Sequence, residues 1–293
     1  MNGVLIIDKP AGPTSHDVVL MVKKALRAKK VGHIGTLDPL ATGVLPLCIN
    51  DATRLARFLE DGKKEYLATI KLGEETDTYD SEGKVVAKGD TTAIAKENIV
   101  SVINDFKGRI KQIPPMFSAV KMNGAPLYKL ARGHVEVERK PRDLEIYSIE
   151  VSNITMPCVT FQVICSKGTY IRSLAFDIGR KLGCGAHLAG LRRIKSGMFS
   201  LSDSIKVNAL KDLQENMLDQ NIMPVERLFA DTPAIEVDET TAGRIRDGIA
   251  PKFSSSIGDN EMVRFMANGK IVALATYKGI DGFKLERVFK DRL

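Results

Sequence analysis

Along the chain the spacing of apolar and polar positions changes several times, and each change predicts an element. Val4-Leu5-Ile6-Ile7 is a short apolar run closed by Pro10 and Gly12, which predicts a strand followed by a turn. Val18, Val22, Ala25 and Leu26 then recur at helical spacing, predicting an amphipathic helix over 16–30 with its basic residues outside. Thr14 and Ser15 are suitable N-caps, and Asp17 stands at the capping-box position relative to Thr14, with Asp in place of Glu. Residues 32–49 read as a Gly- and Pro-punctuated loop entering an apolar stretch, 65–72 alternate like a half-buried strand, and 76–90, polar with Gly83 and Gly89, read as a loop or hairpin. A helix is predicted over 94–107, strands within 144–165 and a helix over 170–182. Between them 111–142 is irregular, broken by Pro114, Pro115, Pro126 and Pro141, and long irregular segments are often functional. ADTPAI, around 230–235, reads as a linker; beyond it MVRFMA and KIVALATY, with Asn-Gly and Lys-Gly turns, predict a small β-rich second domain.

Length and charge sharpen this picture. The 293 residues suit two domains, and 44% hydrophobic residues are enough for a sizeable core. No apolar run reaches the eighteen or so residues of a membrane span, and the opening MNGVLIIDKP has no basic, long-apolar leader pattern. Cys48, Cys158, Cys165 and Cys184 are few and irregularly spaced, which fits reduced thiols and a cytoplasmic protein. The net charge is +7. Ten of the 43 Lys/Arg and nine of the 36 Asp/Glu fall in 233–293, so +6 of the excess belongs to 1–232. There it is clustered, in KKALRAKK (23–30), KGRIK (107–111), KLARGHVEVERKPR (129–142) and RRIK (192–195). Any one cluster reads as a solvated helix face or a strand edge kept soluble by lysine. Four together point to a surface that tracks phosphates.

Several kinds of chemistry have no signature here. There is no phosphate-binding G-x-x-x-x-G-K-[ST], no G-x-G-x-x-G, no H-E-x-x-H and no G-x-S-x-G. Cys184-Gly-Ala-His187 with Cys165 upstream is the nearest approach to a metal site, and it lacks the paired second half that zinc needs. The sharpest feature is Asp38, in His33-Ile-Gly-Thr-Leu-Asp38-Pro39 with Gly35 and Gly43 on either side. Pro39 holds Asp38 extended and removes a backbone donor, while the glycines let a substrate approach the main chain. An Asp-Pro pair also simply organises turns, and the motif alone favours that reading. In CSKGTYIRSLAFDIGRKLGCGAH (165–187), Tyr170 and Arg172 fall where a strand hands over to a helix. An arginine meeting Asp38 would depress its pKa and keep it ionised, as a nucleophile requires. Tyr66 can offer a ring to a base. Taken singly, the two tyrosines also read as core aromatics with a hydroxyl handle and Arg172 as a surface cation.

Together these segments resemble the TruB family of bacterial tRNA pseudouridine-55 synthases. The matching blocks are DKPAGPTSHDVV (8–19), GHIGTLDPLATGVLPLCI (32–49), KEYLATIKLGEETDTYDSEG (64–83), IPPMFSAVKMNGAPLYKLAR (113–132) and CSKGTYIRSLAFDIGRKLGCGAHLAGLRR (165–193). The resemblance implies an α+β fold: a pseudouridine-synthase mixed-sheet catalytic domain over 1–232, with an RNA-gripping insertion at 113–142, and a C-terminal PUA-type RNA-binding domain over 233–293. It implies Asp38 as the catalytic carboxylate, Tyr66 stacking on the target base, and Arg172 pairing with Asp38. Tyr170 and Leu191 belong to the base pocket, and His33 packs on RNA where the base has left. Lys9, Lys64, Asp80, Lys121, Arg132 and Arg142 are the further residues expected to meet substrate. It also implies tRNA, through its T-arm, as substrate, with no cofactor, no metal, no obligatory protein partner and a monomeric chain. Three other readings stay open at this point: a guide-RNA-directed relative that needs partner proteins, a non-catalytic RNA-binding or chaperone protein, and a glycosidase that releases free uracil. The last requires two carboxylates, one kept protonated, and a single loop Asp paired with Arg suits that less well.

Overall fold

The computed structural model describes residues 2–118, 120–122, 124–133, 135, 137–211, 220–253 and 256–289. The larger part runs β1 (Gly3–Lys9), α1 (Ser15–Ala25), β2 (Val31–His33), β3 (Thr42–Ile49), α2 (Ala56–Leu59), β4 (Lys64–Leu72), β5 (Glu74–Thr76), β6 (Val85–Lys88), α3 (Lys96–Asn104), β7 (Gly108–Gln112), β8 (Lys121–Met122), β9 (Ala125–Pro126), α4 (Leu127–Arg132), β10 (Arg142–Thr155), β11 (Cys158–Cys165), α5 (Ile171–Leu182) and β12 (Ala186–Ser196). It closes with β13 (Phe199–Ser200), β14 (Ile205–Lys206), β15 (Ile222–Met223) and α6 (Val225–Leu228). The tail is β16 (Ala234–Glu236), α7 (Glu239–Arg246), β17 (Met262–Ala267), β18 (Lys270–Tyr277) and β19 (Phe283–Val288).

One mixed sheet organises the larger part, in the order β14-β1-β3-β12-β4-β11-β10-β7. Its centre joins strands far apart in sequence: β12 lies parallel to β3 and antiparallel to β4. Side-chain alternation decides what covers each face. From β1 and β3, Leu5, Ile7, Leu45 and Leu47 point into a core shared with Val18 and Val22 of α1 and Leu174 and Ile178 of α5. Val4, Ile6, Val44 and Cys48 point the other way, into a second core that takes in Leu228 of α6 and Ile271, Leu274 and Phe289 of the tail. The tail also has a core of its own, with Ala242, Ile245, Phe265 and Phe283. β1 and β3 are therefore buried on both faces, which is why both read as near-continuous apolar runs. β4 is buried on one face only, with Lys64, Tyr66, Ala68, Ile70 and Leu72 inward, and it reads as alternation.

Local signals that predict elements correctly are those satisfied within a few residues. Thr14 caps α1, its hydroxyl accepting from the Asp17 N–H while Asp17 Oδ2 accepts from the Thr14 N–H at 2.8 Å. Residues 74–88 form the β5–β6 hairpin, and Asn268-Gly269 turns between β17 and β18 with both residues at positive φ. The first helix ends at Ala25, well before residue 30. Arg27 adopts φ 47, which no right-handed helix accommodates, and the packed cations of 23–30 repel at i,i+3 and i,i+4. The elements not expected from the pattern include the long strand β12, whose RRIK run reads as a surface cluster, and α7 in the tail, capped by Asp238 accepting from the Thr241 N–H at 2.7 Å. The RRIK cluster is corrected accordingly. Arg193 is 1% exposed and Arg192 is paired with Asp8 at 2.9 Å, so that run is built into the sheet. KGRIK forms the exposed edge strand β7.

Gly43 is where β3 meets β12. It has φ 97, and a Cβ there would lie 2.2 Å from the Arg193 carbonyl oxygen. Gly12 has a similar φ of 102 and open space around it. Gly12→Ala is expected to cost about 1–3 kcal/mol through φ alone, and Gly43→Ala clearly more, because the two strands must separate. Denaturant midpoints at an unchanged m-value measure both; equal losses would mean that the close approach contributes nothing.

Candidate active site

The segment 34–41 crosses the mouth of the sheet between β2 and β3, and its shape is fixed through the main chain. Ser15 Oγ, at the start of α1, donates to the Leu37 carbonyl at 2.8 Å and accepts from the Leu37 N–H at 2.8 Å. The Ala41 N–H donates to the Asp38 carbonyl at 3.1 Å and the Gly12 N–H to that of Pro39 at 3.0 Å. Lys9, at the end of β1, is wholly buried, and its Nζ donates to the carbonyls of Pro10, Pro39 and Ala41 at 3.0, 3.1 and 2.7 Å. Arg193 holds the other side, with Nε on the Val44 carbonyl at 2.7 Å and Nη2 on that of Gly35 at 3.0 Å. Two buried cations thus grip one loop by its carbonyl oxygens and leave the Asp38 side chain to something else.

That partner is Arg172, the second residue of α5. Its side chain is 6% exposed, and its Nε lies 2.9 Å from Asp38 Oδ2, off the N–H direction, so charge more than a linear hydrogen bond holds the pair. The remaining donors are occupied as well: Nη1 by Asp80 Oδ2 and the Thr78 carbonyl, both at 3.2 Å, and Nη2 by the Phe117 carbonyl at 2.8 Å. Asp80 is buried and also accepts from the Thr78 hydroxyl at 2.6 Å and the Glu82 N–H at 3.1 Å. One guanidinium therefore serves two carboxylates, which corrects the expectation of a simple pair that depresses the Asp38 pKa. The Asp38 carboxyl is raised above its ordinary value: burial dominates, Arg172 opposes it, and the like charge of Asp80 adds to the rise. Glu82, at the pocket rim, is raised too, by burial first and then by Asp80 and Asp38.

Asp38 lines a cavity of about 590 Å³, within the roughly 300–1,000 Å³ range of small-molecule sites. Tyr66, Tyr170, Arg172, Leu191, His33, Lys64 and Asp80 line it too. Tyr66 stands opposite Arg193 in the β4–β12 register; burial pushes its hydroxyl up and Arg193 pulls it back. Tyr170 caps α5 and is bracketed by Gln112, which accepts from its N–H at 2.8 Å and donates to its carbonyl at 3.0 Å. His33 has a buried Nδ1 without a hydrogen-bond partner among the described residues, and burial, then Arg193, lower its pKa. Lys64 Nζ donates to the Glu60 carbonyl and Ser196 Oγ, each at 3.0 Å, and burial pulls its pKa down to about 8.

Not every expected residue faces the cavity. Lys9 is corrected: with its ammonium enclosed by three carbonyls, it props the Asp38 loop from behind, and burial lowers its pKa to about 8. Arg142 lies exposed at the start of β10, opposite Gln112, away from the cavity lining. Lys121 and Arg132 have their main chain in β8 and α4, and their side chains lie outside the described residues. His187 Nδ1 sits 3.0 Å from the Glu74 carbonyl, a structural use of that histidine. The sequence pattern assigned no site role to Arg193, read only as part of a surface cluster, to Ser15, read only as a helix cap, or to the carbonyls of Thr78 and Phe117. Main-chain acceptors carry no sequence signal.

An α+β chain with a mixed sheet, a cavity lined by Asp38 paired with the buried Arg172, and the match to TruB family pseudouridylate synthases define an enzyme of the pseudouridylate-synthase class, an isomerase. The chain belongs to the TruB family: the N-terminal domain of TruB family pseudouridylate synthases matches residues 23–171, and the tRNA pseudouridylate synthase B C-terminal domain matches 172–230. Curated relatives carrying the name tRNA pseudouridine synthase B include that of Clostridium tetani, 46% identical with 98% of this chain and 99% of that protein covered. That of Geobacter sulfurreducens is 44% identical, with 94% and 93% covered. Among solved structures, the crystal structure of a Cbf5-Nop10-Gar1 complex matches with TM-score 0.73 and 31% identity over 98% of this chain and 84% of that one. A structure of an H/ACA RNP bound to a substrate RNA containing 2′-deoxyuridine matches with TM-score 0.72 and 28% identity, over 99% and 86%.

The raised Asp38 pKa has a consequence for stability. A carboxyl that holds its proton more tightly when folded stabilises the fold below its folded pKa and loses that contribution as pH rises through it. Asp38→Asn, which mimics the protonated group, is therefore expected to raise Tm at pH 8, with the gain shrinking as pH falls toward the ordinary carboxylate range. Thermal melts of both proteins across that pH range test it; a variant less stable at pH 8 would show that the Arg172 contact outweighs burial.

Proposed function

We propose that this chain converts the T-loop uridine of tRNA, position 55, to pseudouridine. The observation that carries the reading is the Asp38 carboxylate at 2.9 Å from a buried arginine, on the wall of a cavity that also offers Tyr66 and Leu191. The reaction breaks the C1′–N1 bond, turns the uracil, and joins C5 to C1′; the C5 proton leaves and N1 gains one. Nothing is oxidised and no group is lost, so the chemistry asks for one carboxylate and a way to hold a detached base. Attack on C1′, charge stabilisation there and proton removal all require Asp38 ionised. Tyr66 stacks on the extruded base and Leu191 closes over it, offsetting the few kcal/mol that unstacking costs. His33, neutral because it is desolvated, packs where the base has left. Arg142, Lys121 and Arg132 contribute phosphate contacts, as does the 233–293 tail acting as a PUA-type module. The chain works as a cytoplasmic monomer.

The likeness to chains from Cbf5 and H/ACA complexes favours one further reading, a guide-RNA-directed synthase. The higher identity and near-complete coverage of the relatives named tRNA pseudouridine synthase B support the first. A glycosidase reading is disfavoured by Asp80, whose oxygens are taken up by Arg172, Thr78 and the Glu82 N–H.

The purified chain alone, given unmodified tRNA carrying 5-tritiated uridine, is expected to release tritium and to leave pseudouridine at position 55. Asp38→Asn should lose activity by at least about 10³-fold, as removal of an essential reacting group does, with tRNA binding retained. The acid limb of the wild-type single-turnover rate should lie above the ordinary Asp value of about 3.9. Free uracil as product, activity only with added guide RNA and proteins, or an unimpaired Asp38→Asn would each overturn the assignment.

A further inference from the structure

Asp80 and the Thr78 carbonyl reach Arg172 only because of the residue between them. Tyr79 adopts φ 64. This left-handed conformation is unfavourable for a bulky side chain and persists only where the surroundings over-determine it. In an extended conformation at position 79 the neighbouring groups would point apart; the left-handed turn folds both onto one guanidinium, each at 3.2 Å from Nη1. What over-determines it is a stripe on α5. Arg172, Phe176 and Arg180 follow at i, i+4 and i+8, one above another on a single helix face. The segment from Glu75 to Asp80 lies along that stripe rung by rung. Glu75 pairs with Arg180 at 3.5 Å, the Tyr79 ring stacks on Phe176 with centroids 4.2 Å apart and planes at 24°, and Thr78 and Asp80 take Arg172. The Arg180 guanidinium also lies over the Phe176 ring at 5.5 Å. On the far side the turn is tied to β12, the Leu188 N–H donating to the Tyr79 carbonyl at 2.9 Å.

We propose that Tyr79 and Phe176 are positioning residues for the reaction: their stacked rings lock the left-handed turn that aims Asp80 and the Thr78 carbonyl at Arg172, and so fix the guanidinium that meets Asp38. Neither ring borders the cavity, so both act through Arg172. The proposal rests on the reading of Asp38 as the reacting carboxylate. It adds that the precision of the Asp38–Arg172 contact is set outside the pocket, at an aromatic pair one helical turn away. A freely rotating Arg172 would still neutralise the loop, but it would no longer hold the carboxylate at one angle to C1′, and small misplacements of reacting groups are costly in rate.

The backbone and the ring can be separated by experiment. Tyr79→Gly accepts φ 64 without strain, so the turn keeps its shape while the stack is lost. Tyr79→Phe keeps the stack and removes only the hydroxyl. Phe176→Leu removes the other ring and keeps the helix and most of the apolar volume. Single-turnover rates at saturating tRNA and tRNA dissociation constants are measured for each, with Asp38→Asn and wild type alongside. The clamp predicts a rate about tenfold lower for Tyr79→Gly and for Phe176→Leu, a double variant no worse than either, Tyr79→Phe within about twofold of wild type, and Kd values changed by less than about twofold throughout. A wild-type rate in Tyr79→Gly or in Phe176→Leu overturns it, as does a loss confined to Kd or a Tyr79→Phe variant as slow as Tyr79→Gly. These failures are distinct from failure of the parent reading, which would show as an inactive wild type or an active Asp38→Asn.

Discussion

The structure depends on one buried cation that two carboxylates share. Taking Arg172 out of water costs several kcal/mol unless its donors are met, and a lone carboxylate beside it would leave most of the planar fork unsatisfied. Different parts of the chain instead approach the fork: the Asp38 carboxylate lies beside Nε as an ion contact, the turn after β5 accepts from Nη1, and the main chain at Phe117 in the 111–142 segment accepts from Nη2. Residues 38, 78–80, 117 and 172 are thereby brought to one point. A lysine could neutralise the same charge, but as a flexible point donor it could not set three directions at once.

The other buried cations follow a different rule. Lys9 and Arg193 are bound mainly to carbonyl oxygens, three for Lys9 and two for Arg193. A carbonyl cage satisfies hydrogen bonds without cancelling charge, so these side chains leave positive potential under a pocket meant for a polyanion while fixing the loop that carries the carboxylate. Part of the +7 excess is therefore interior. The excess still marks the larger part of the chain, but as structural cations beneath the pocket as well as a solvent-facing basic surface.

This division explains what was legible in the sequence. The Thr14–Asp17 cap, the alternation of β4, the 74–88 hairpin and the Asn268-Gly269 turn are each satisfied by near neighbours, so their residue types suffice. The pairing of Asp38 with Arg172 was legible only through the resemblance to the TruB family; taken singly, Asp38-Pro39 reads as a turn and Arg172 as a surface cation. The length of α1, the strand character of RRIK and the enclosure of Lys9 were not, because each depends on what another part of the chain places against it. The direction of the Asp38 pKa belongs with these: a pairwise view gives a depressed value, and only the shared guanidinium and the desolvated site give a raised one.

The tail bears on the same loop. The Asp38 loop runs directly into β3 at Thr42, and Lys9 at the end of β1 holds its Pro39 and Ala41 carbonyls, so these two strands anchor it. Their second face is covered by Ile271, Leu274 and Phe289 of the tail together with α6, and Arg57 of α2 pairs with Glu286 of β19 at 3.2 Å. Strands buried on both faces move less than strands exposed on one, because displacing them opens cavities on either side. The described part of the tail therefore stiffens the frame of the pocket from behind. A tail kept for affinity alone would need only a tether; this one contributes side chains to the core on which the loop geometry rests.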